Sequence, residues 1–412
     1  MKKLLTIMAC LTAMTACNKQ TPGNEGTGEG DKPTPPAEAT EQTPGLDIFY
    51  KGGTMCFASY FEDAGLVYRE NGQPADPYGS MKAHGANCVR LQLDMLSFAK
   101  KEGQTIDWQT MDRVIEDSWR AKQHGLEIFL TMKPDYDIYT VNPTSHNNIP
   151  GQWANLSESD LGQALYDWVY DSLTKLAEEG IFPAIVAVGN EVSVGFLKPS
   201  PDAAADNLRT GRLLKYAHQA VRDYAADWNP ACLSAVHVEN PSRAAWCINQ
   251  IETAGATDYD IVAVSWYPGS KIGHSLPAGQ DMKAFAGSFG DKKMMIVETA
   301  YTFTDGMSGG KWQGDNCNNA YDYPDWGSDS ENAGNYTPAK AREWLRSLAE
   351  DIRAGGGAGL LTWGTESLPA EGIYTYPADW AKGSTWENNS YWDFTDGNNL
   401  HEGIDWMKDT EQ

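Results

Sequence analysis

The chain has 412 residues, with 32 Lys and Arg against 56 Asp and Glu, a formal charge of −24 and a pI near 4.6. No basic stripe is available to release counterions from phosphates, so nucleic acid is excluded as a partner, and adhesion to an anionic lipid surface through protein charge is disfavoured. With 15 Trp, 19 Tyr and 11 Phe, the composition suits neutral polar ligands that present flat apolar faces, and sugars are the obvious class.

In chain order, Lys2 and Lys3 precede a short apolar run from Leu4 to Ala16, too short to span a bilayer. The run ends in Met14-Thr15-Ala16-Cys17, which resembles a bacterial lipoprotein signal box. Residues 1–17 are therefore expected to be a signal peptide ending at a lipidated Cys17. The plainer alternative is an ordinary signal peptide with a chance cysteine at its end. From Asn18 to Gly45 there is no Val, Ile, Leu, Met, Phe, Trp or Tyr, so residues 18–45 should form a disordered tether. The protein is thus expected on a membrane through its N-terminal lipid alone, at the cell surface or facing the periplasm, with the outer membrane favoured. Cys56, Cys88, Cys232, Cys247 and Cys317 are too scattered for a disulfide framework, and no C-x-x-C spacing suggests zinc. Buried free thiols are expected, with a Cys232–Cys247 bridge left open.

From Leu46 to the end, strands and helices alternate. Apolar runs that read as buried strands fall at Met55–Ser59, Cys88–Leu93, Glu127–Met132, Ile185–Val188, Cys232–Val238, Ile261–Trp266, Met294–Glu298 and Gly359–Trp363. Segments of helical period lie between them, such as Asp107–His124, Asp160–Glu179 and Asn207–Ala226. Near-continuous apolar strands imply burial on both faces, as parallel sheets require. Eight of them predict a single (β/α)8 barrel with long βα loops over residues 46–412, since open doubly wound sheets usually stop earlier.

A barrel places its chemistry on the loops at the C-terminal ends of the strands. Read in order, those ends offer Arg90, Lys133, Asn190-Glu191, His237, Trp266-Tyr267, Glu298 and Trp363. Two carboxylates among aromatics and amides, on strands four and seven, form the informative constellation. Glycosidic cleavage needs a proton donor for the leaving oxygen and a carboxylate facing the anomeric carbon, and strands four and seven point across the barrel mouth. Burial and a neighbouring carboxylate would keep one of the two protonated.

These residues also carry a resemblance. Val188-Gly189-Asn190-Glu191 with Gly195-Phe196-Leu197, and Val297-Glu298-Thr299-Ala300-Tyr301, resemble the acid/base and nucleophile segments of glycoside hydrolase family 53, the endo-β-1,4-galactanases. Gly85-Ala86-Asn87-Cys88-Val89-Arg90-Leu91, Ser265-Trp266-Tyr267-Pro268 and Trp386-Glu387-Asn388 follow the same family pattern in the same order. The resemblance implies a retaining double displacement with Glu191 as general acid/base and Glu298 as nucleophile. It further implies Asn190 at the sugar 2-hydroxyl, Arg90 and Tyr267 bracketing Glu298, and Trp363 as an apolar floor. His237, Trp266, Lys133 and Trp386 complete the expected substrate-binding set, although His237 reads equally well as a satisfied core histidine. The implied substrate is the neutral β-1,4-galactan side chain of pectic polymers, cut by a monomer that requires no cofactor. The rivals are a related retaining endo-glycanase with a shifted neutral glycan and a non-catalytic glycan-binding lipoprotein.

Three positions depart from the family pattern. Lys133 replaces a histidine, Gln92 replaces a second arginine, and Trp363-Gly364-Thr365 stands where Trp-Glu-Pro is usual. A lysine there could read a differently oriented substituent or neutralise a neighbouring acid. Gly306-Met307-Ser308-Gly309-Gly310 matches G-x-S-x-G but lacks the strand–turn–helix context of a serine nucleophile. Asp305, Asp315, Asp322, Asp325 and Asp329 crowd one loop. They read as solvated acids rather than as the calcium site that some relatives hold in this region.

Overall fold

The protein's structure, a computed structural model, describes residues 45–96, 99–101, 104–137, 148–268, 274–304, 336–369, 374–376, 381–382 and 386–408. The expected signal peptide, the expected tether up to residue 44, the G-x-S-x-G sequence, Cys317 and the aspartate-rich loop lie outside the described residues.

Eight parallel strands close into a barrel in which each strand pairs with its neighbours in sequence and the last returns to the first. They are β1 (Tyr50–Thr54), β2 (Cys88–Leu96), β3 (Glu127–Asp137), β4 (Ile185–Val188), β5 (Leu233–Glu239), β6 (Ile261–Ser265), β7 (Lys293–Glu298) and β8 (Gly359–Thr362). The helices are α1 (Ala58–Asp63), α2 (Pro77–Ala83), α3 (Met111–Gln123), α4 (Glu158–Glu178), α5 (Asn207–Asp227), α6 (Pro241–Thr253), α7 (Met282–Ala286) and α8 (Pro338–Ala354). Side-chain oxygens of Thr110, Ser157, Asp206, Asn240 and Thr337 cap the first turns of α3, α4, α5, α6 and α8, satisfying amides that a helix start leaves without partners.

One expected strand is corrected. The first strand is Tyr50–Thr54 and not Met55–Ser59, whose last two residues already begin α1. Its Lys-Gly-Gly-Thr sequence lacks the apolar signature for a packing reason: a Cβ on Gly52 would lie 1.7 Å from the Cys88 carbonyl oxygen. Glycine permits that approach between β1 and β2. Cys232 and Cys247 are both free and buried, so the bridge left open does not form.

Side chains alternate cleanly between two cores. Inside the barrel sit Tyr50, Cys88, Phe129, Ile185, Ala187, Ala235, Ile261, Ala263 and Met295. The intervening residues, such as Val89, Leu130, Val186, Val236, Val262 and Ile296, pack outward in the layer shared with the helices. Period two therefore aims Arg90, Thr131, His237 and Ser265 inward at the strand ends. Glu298 is the exception, sharing parity with the outward Met294 and Ile296. The β6–β7 register shifts between Val264 and Ser265, so that Val264 faces Ile296 but Ser265 faces Glu298. This extra residue on β7 turns Glu298 back toward the barrel axis, the usual effect of a bulge beside a site.

Candidate active site

Arg90 organises the barrel mouth. It is fully buried, and its guanidinium fork reaches three strands. Nε donates to Thr131 Oγ1 at 3.0 Å, Nη1 to Glu298 Oε1 at 2.7 Å, and Nη2 to Asn190 Oδ1 at 2.7 Å. Tyr267 Oη donates to the other Glu298 oxygen at 3.1 Å. Both carboxylate oxygens are thus fixed by donors, one of them cationic, which sets the group's orientation.

Glu191 follows Gly189 on the turn that ends β4, and both adopt positive φ, 87° for the glycine and 49° for the glutamate. Left-handed backbone at a non-glycine residue costs about 1–2 kcal/mol, so something must hold it. The holder is His237, whose Nδ1 accepts the Glu191 amide proton at 3.3 Å. A carboxylate oxygen of Glu191, one of Glu298 and a ring nitrogen of His237 all lie within 4.8 Å of one another. Burial and then the nearby Glu298 charge push the Glu191 carboxyl up to about 8, against a smaller opposing pull from the Ser265 hydroxyl.

His237 itself is fully buried. Burial, reinforced by the Arg90 charge, holds its imidazole well below the ordinary histidine range, so the ring is neutral. With Nδ1 accepting, the ring proton sits on Nε2 and is donated to Ser265 Oγ at 2.9 Å. Both ring nitrogens are therefore engaged within the protein.

The aromatic residues divide. Trp363 lies 5.6 Å beneath the Arg90 guanidinium and meets Trp386 edge-on at 6.4 Å, and Trp386 in turn packs 5.4 Å from Tyr267. These three frame the carboxylates. Trp266 does not join them. Alternation points it away from Ser265 and Tyr267, and it stacks at 5.7 Å on Trp344 of α8. It packs between barrel and helix.

Lys133 is buried and spends its ammonium on protein groups. It pairs with Asp94 at 2.9 Å and donates to Gln92 Oε1 at 2.9 Å and Gln109 Oε1 at 2.7 Å. Of the two roles open to it, neutralising a neighbouring acid is the one this geometry supplies. Asp94 and Gln109 escaped the sequence reading, as did Thr131 and the hydroxyl of Ser265. Asp94 was within reach, since Arg90, Gln92 and Asp94 share one face of β2 at period two. Gln109 was not, because it arrives from a loop.

Residues 50–403 match the sequence profile of Glycosyl hydrolase family 53. The chain belongs to that family. Its members are glycoside hydrolases, and the barrel described above is theirs. An arabinogalactan endo-β-1,4-galactanase from Cellvibrio japonicus is 28% identical over 356 residues, covering 85% of this chain and 88% of that enzyme. Among solved structures, the Ignisphaera aggregans GH53 catalytic domain is 25% identical with a TM-score of 0.67, covering 89% of this chain and 98% of that one. A fungal β-1,4-galactanase, 20% identical, shares the fold with a TM-score of 0.65 over 88% of this chain and 99% of its own.

Proposed function

We propose that the chain is an endo-acting, retaining β-1,4-galactanase. Glu298 serves as the nucleophile and Glu191 as the general acid/base. The observation that carries this reading is the close approach of the two carboxylates: an oxygen of one lies within 4.8 Å of an oxygen of the other, which suits direct attack by Glu298 rather than the wider gap that an inverting water needs. In the first half-reaction a Glu298 oxygen bonds to the anomeric carbon as the glycosidic bond breaks, and the Glu191 proton passes to the leaving oxygen. In the second, ionised Glu191 takes a proton from water, whose oxygen bonds to the anomeric carbon and releases Glu298. Arg90 and Tyr267 hold the nucleophile in place, Asn190 is oriented by Arg90 for the sugar 2-hydroxyl, and Trp363 and Trp386 offer apolar faces.

The galactan assignment draws on the galactanase relatives and on the neutral, aromatic-framed mouth. A chain of charge −24 is repelled by polygalacturonate and suits uncharged side chains. We further propose that the protein works as a monomer without a cofactor, and that Cys17 anchors it to a membrane by lipid, with residues 18–45 as the tether. Support for the anchor is the Met14-Thr15-Ala16-Cys17 sequence followed by the apolar-free stretch.

Incubating the purified body with a panel of neutral glycans tests substrate and class together. Oligosaccharides of mixed length from galactan are expected. Cleavage of a different glycan would point to a shifted substrate, and binding without cleavage to a non-catalytic lectin-like role. Glu191→Gln and Glu298→Gln should each lower kcat on galactan by at least about 100-fold, and full activity in either refutes its assignment. Because the first step needs protonated Glu191, kcat/KM should fall as pH rises through about 8. Cys17→Ser should move the full-length protein to the soluble fraction, and unchanged membrane association would remove the anchor.

A further inference from the structure

Tyr267 lies just beyond β6, which ends at Ser265. The Trp266 amide still reaches β7, donating to the Glu298 carbonyl at 2.8 Å. Tyr267 turns to a different partner. Its amide donates to His274 Nδ1 at 3.2 Å, and its carbonyl accepts the His274 amide proton at 3.2 Å. Both residues are buried, so these two bonds supply what the strand ladder no longer does. The two rings pack 5.8 Å apart. At the other ring nitrogen, His274 Nε2 lies 3.4 Å from Glu239 Oε1. Glu239 is the last residue of β5, and its amide donates to Ser193 Oγ, on the turn after Glu191, at 2.9 Å. The two-carboxylate chemistry gives neither Glu239 nor His274 a task.

We propose that His274, oriented by Glu239, is a positioning residue that holds the Tyr267 backbone so that its phenol meets the nucleophile. The inference rests on Glu298 being that nucleophile. Tyr267 Oη donates to Glu298 Oε2 at 3.1 Å, and a rigid ring on staggered torsions goes where its backbone sends it. A neutral imidazole divides one proton and one lone pair between its two nitrogens. With the Tyr267 amide facing Nδ1, that nitrogen is the bare one, and the proton on Nε2 points to the Glu239 carboxylate. The opposite tautomer would set N–H against N–H at Tyr267. Glu239 therefore favours the tautomer that keeps Tyr267 in place, without touching the reacting atoms. The run from Ser193 through Glu239, His274 and Tyr267 to Glu298 links the turn that carries the acid/base to the nucleophile.

The test is a set of double-mutant cycles on the glycan that the panel shows to be cut, galactan being the expected one. Tyr267→Phe should lower kcat about tenfold or more and His274→Ala about fivefold or more, each with KM within about twofold. Added to Tyr267→Phe, His274→Ala should cost no more than about twofold further, because the hydroxyl it positions is gone. His274→Asn, which keeps an acceptor for the Tyr267 amide, should stay within about threefold of wild type. Glu239→Ala should lower kcat about threefold or more alone and less than about twofold when added to His274→Ala. Nitrogen-15 spectra of histidine-labelled wild type at about pH 8, with His274 identified by its absence from His274→Asn, should show Nε2 protonated and Nδ1 bare. That measurement stands even where His274→Ala fails to fold. Equal losses from His274→Ala in both backgrounds, an Asn variant as impaired as Ala, or a proton on Nδ1 each overturn the positioning role. Additive losses from Glu239→Ala and His274→Ala overturn the share given to Glu239. Full activity in Glu298→Gln overturns the nucleophile assignment and this inference with it. Inactive Glu298→Gln combined with additive His274→Ala and Tyr267→Phe losses overturns the inference alone.

Discussion

At the scale of single residues, the site is built by giving every polar atom of Arg90 a different partner. One buried guanidinium ties β2 to Thr131 on β3, to Asn190 after β4 and to Glu298 on β7. The planar guanidinium meets each acceptor with a different nitrogen, in a fixed geometry that a lysine's single ammonium would not reproduce. Arg90→Met should leave a buried carboxylate without its cation, at a cost of about 3–5 kcal/mol, measured by urea denaturation of wild type and variant. A loss below about 1 kcal/mol would mean that the ion pair is not a stability element. The sequence exposes Arg90, Asn190, Glu191, Tyr267 and Glu298 because each ends an apolar run with a polar group that burial alone does not explain. It hides the partners that satisfy them. Nothing local to Ser265 distinguishes its hydroxyl from any other, since its partner, His237, lies on another strand. Lys133 shows the reverse case, a charge that is conspicuous in sequence and already paired with Asp94 in the fold.

At the scale of elements, the strands with continuous apolar runs are the ones their sequence announces, and Ile185–Val188 is found with its expected ends. The strand that escapes is β1, where Gly52 replaces a side chain by close contact between backbones. Direction is subtler than existence. Along β6, period two separates inward Ser265 and Tyr267 from outward Trp266. On β7 the register shift opposite Ser265 overrides that period and delivers Glu298 to the mouth. Trp266→Ala tests the alternation directly. Losing the stack on Trp344 should cost about 3 kcal/mol of stability, with KM for galactan within about twofold of wild type. A large rise in KM without destabilisation would return Trp266 to the substrate.

For the whole molecule, buried acids make stability depend on pH in an unusual sense. Burial pushes Glu366 up to about 8 and Asp117 and Asp135 to about 7. The folded state then binds more protons than the unfolded chain, so stability falls as pH rises from the ordinary carboxyl range, near 4 to 4.5, toward 8. Glu366 is buried against the start of α1, where its Oε1 accepts from the Phe57 amide at 3.1 Å. Glu366→Gln removes its titration. Its melting temperature should exceed that of wild type by about 3 °C or more at pH 8 and not at pH 5. Parallel curves across that range would show that Glu366 does not contribute. The charge of −24 works in the same direction, because self-repulsion grows as the remaining carboxyls ionise.

What the sequence determined by itself was the class of the molecule: a parallel barrel, with its chemistry at the strand ends and two glutamates as the candidates for it. Those properties follow from local pattern, because apolar runs of strand length require a two-sided cover and a polar residue ending such a run must face something. The tertiary structure decided which strand-end residues face one another. Closure of the barrel brings Glu191 and Glu298 within 4.8 Å. One bulge turns Glu298 inward, and alternation sends Trp266 out. The two hydrogen bonds that run from the Glu191 amide through His237 to Ser265 link residues 74 positions apart and exist only once the strands are in register. A hydrogen bond between side chains distant in sequence leaves no periodic trace, so the partners of the catalytic candidates could be found only in the fold.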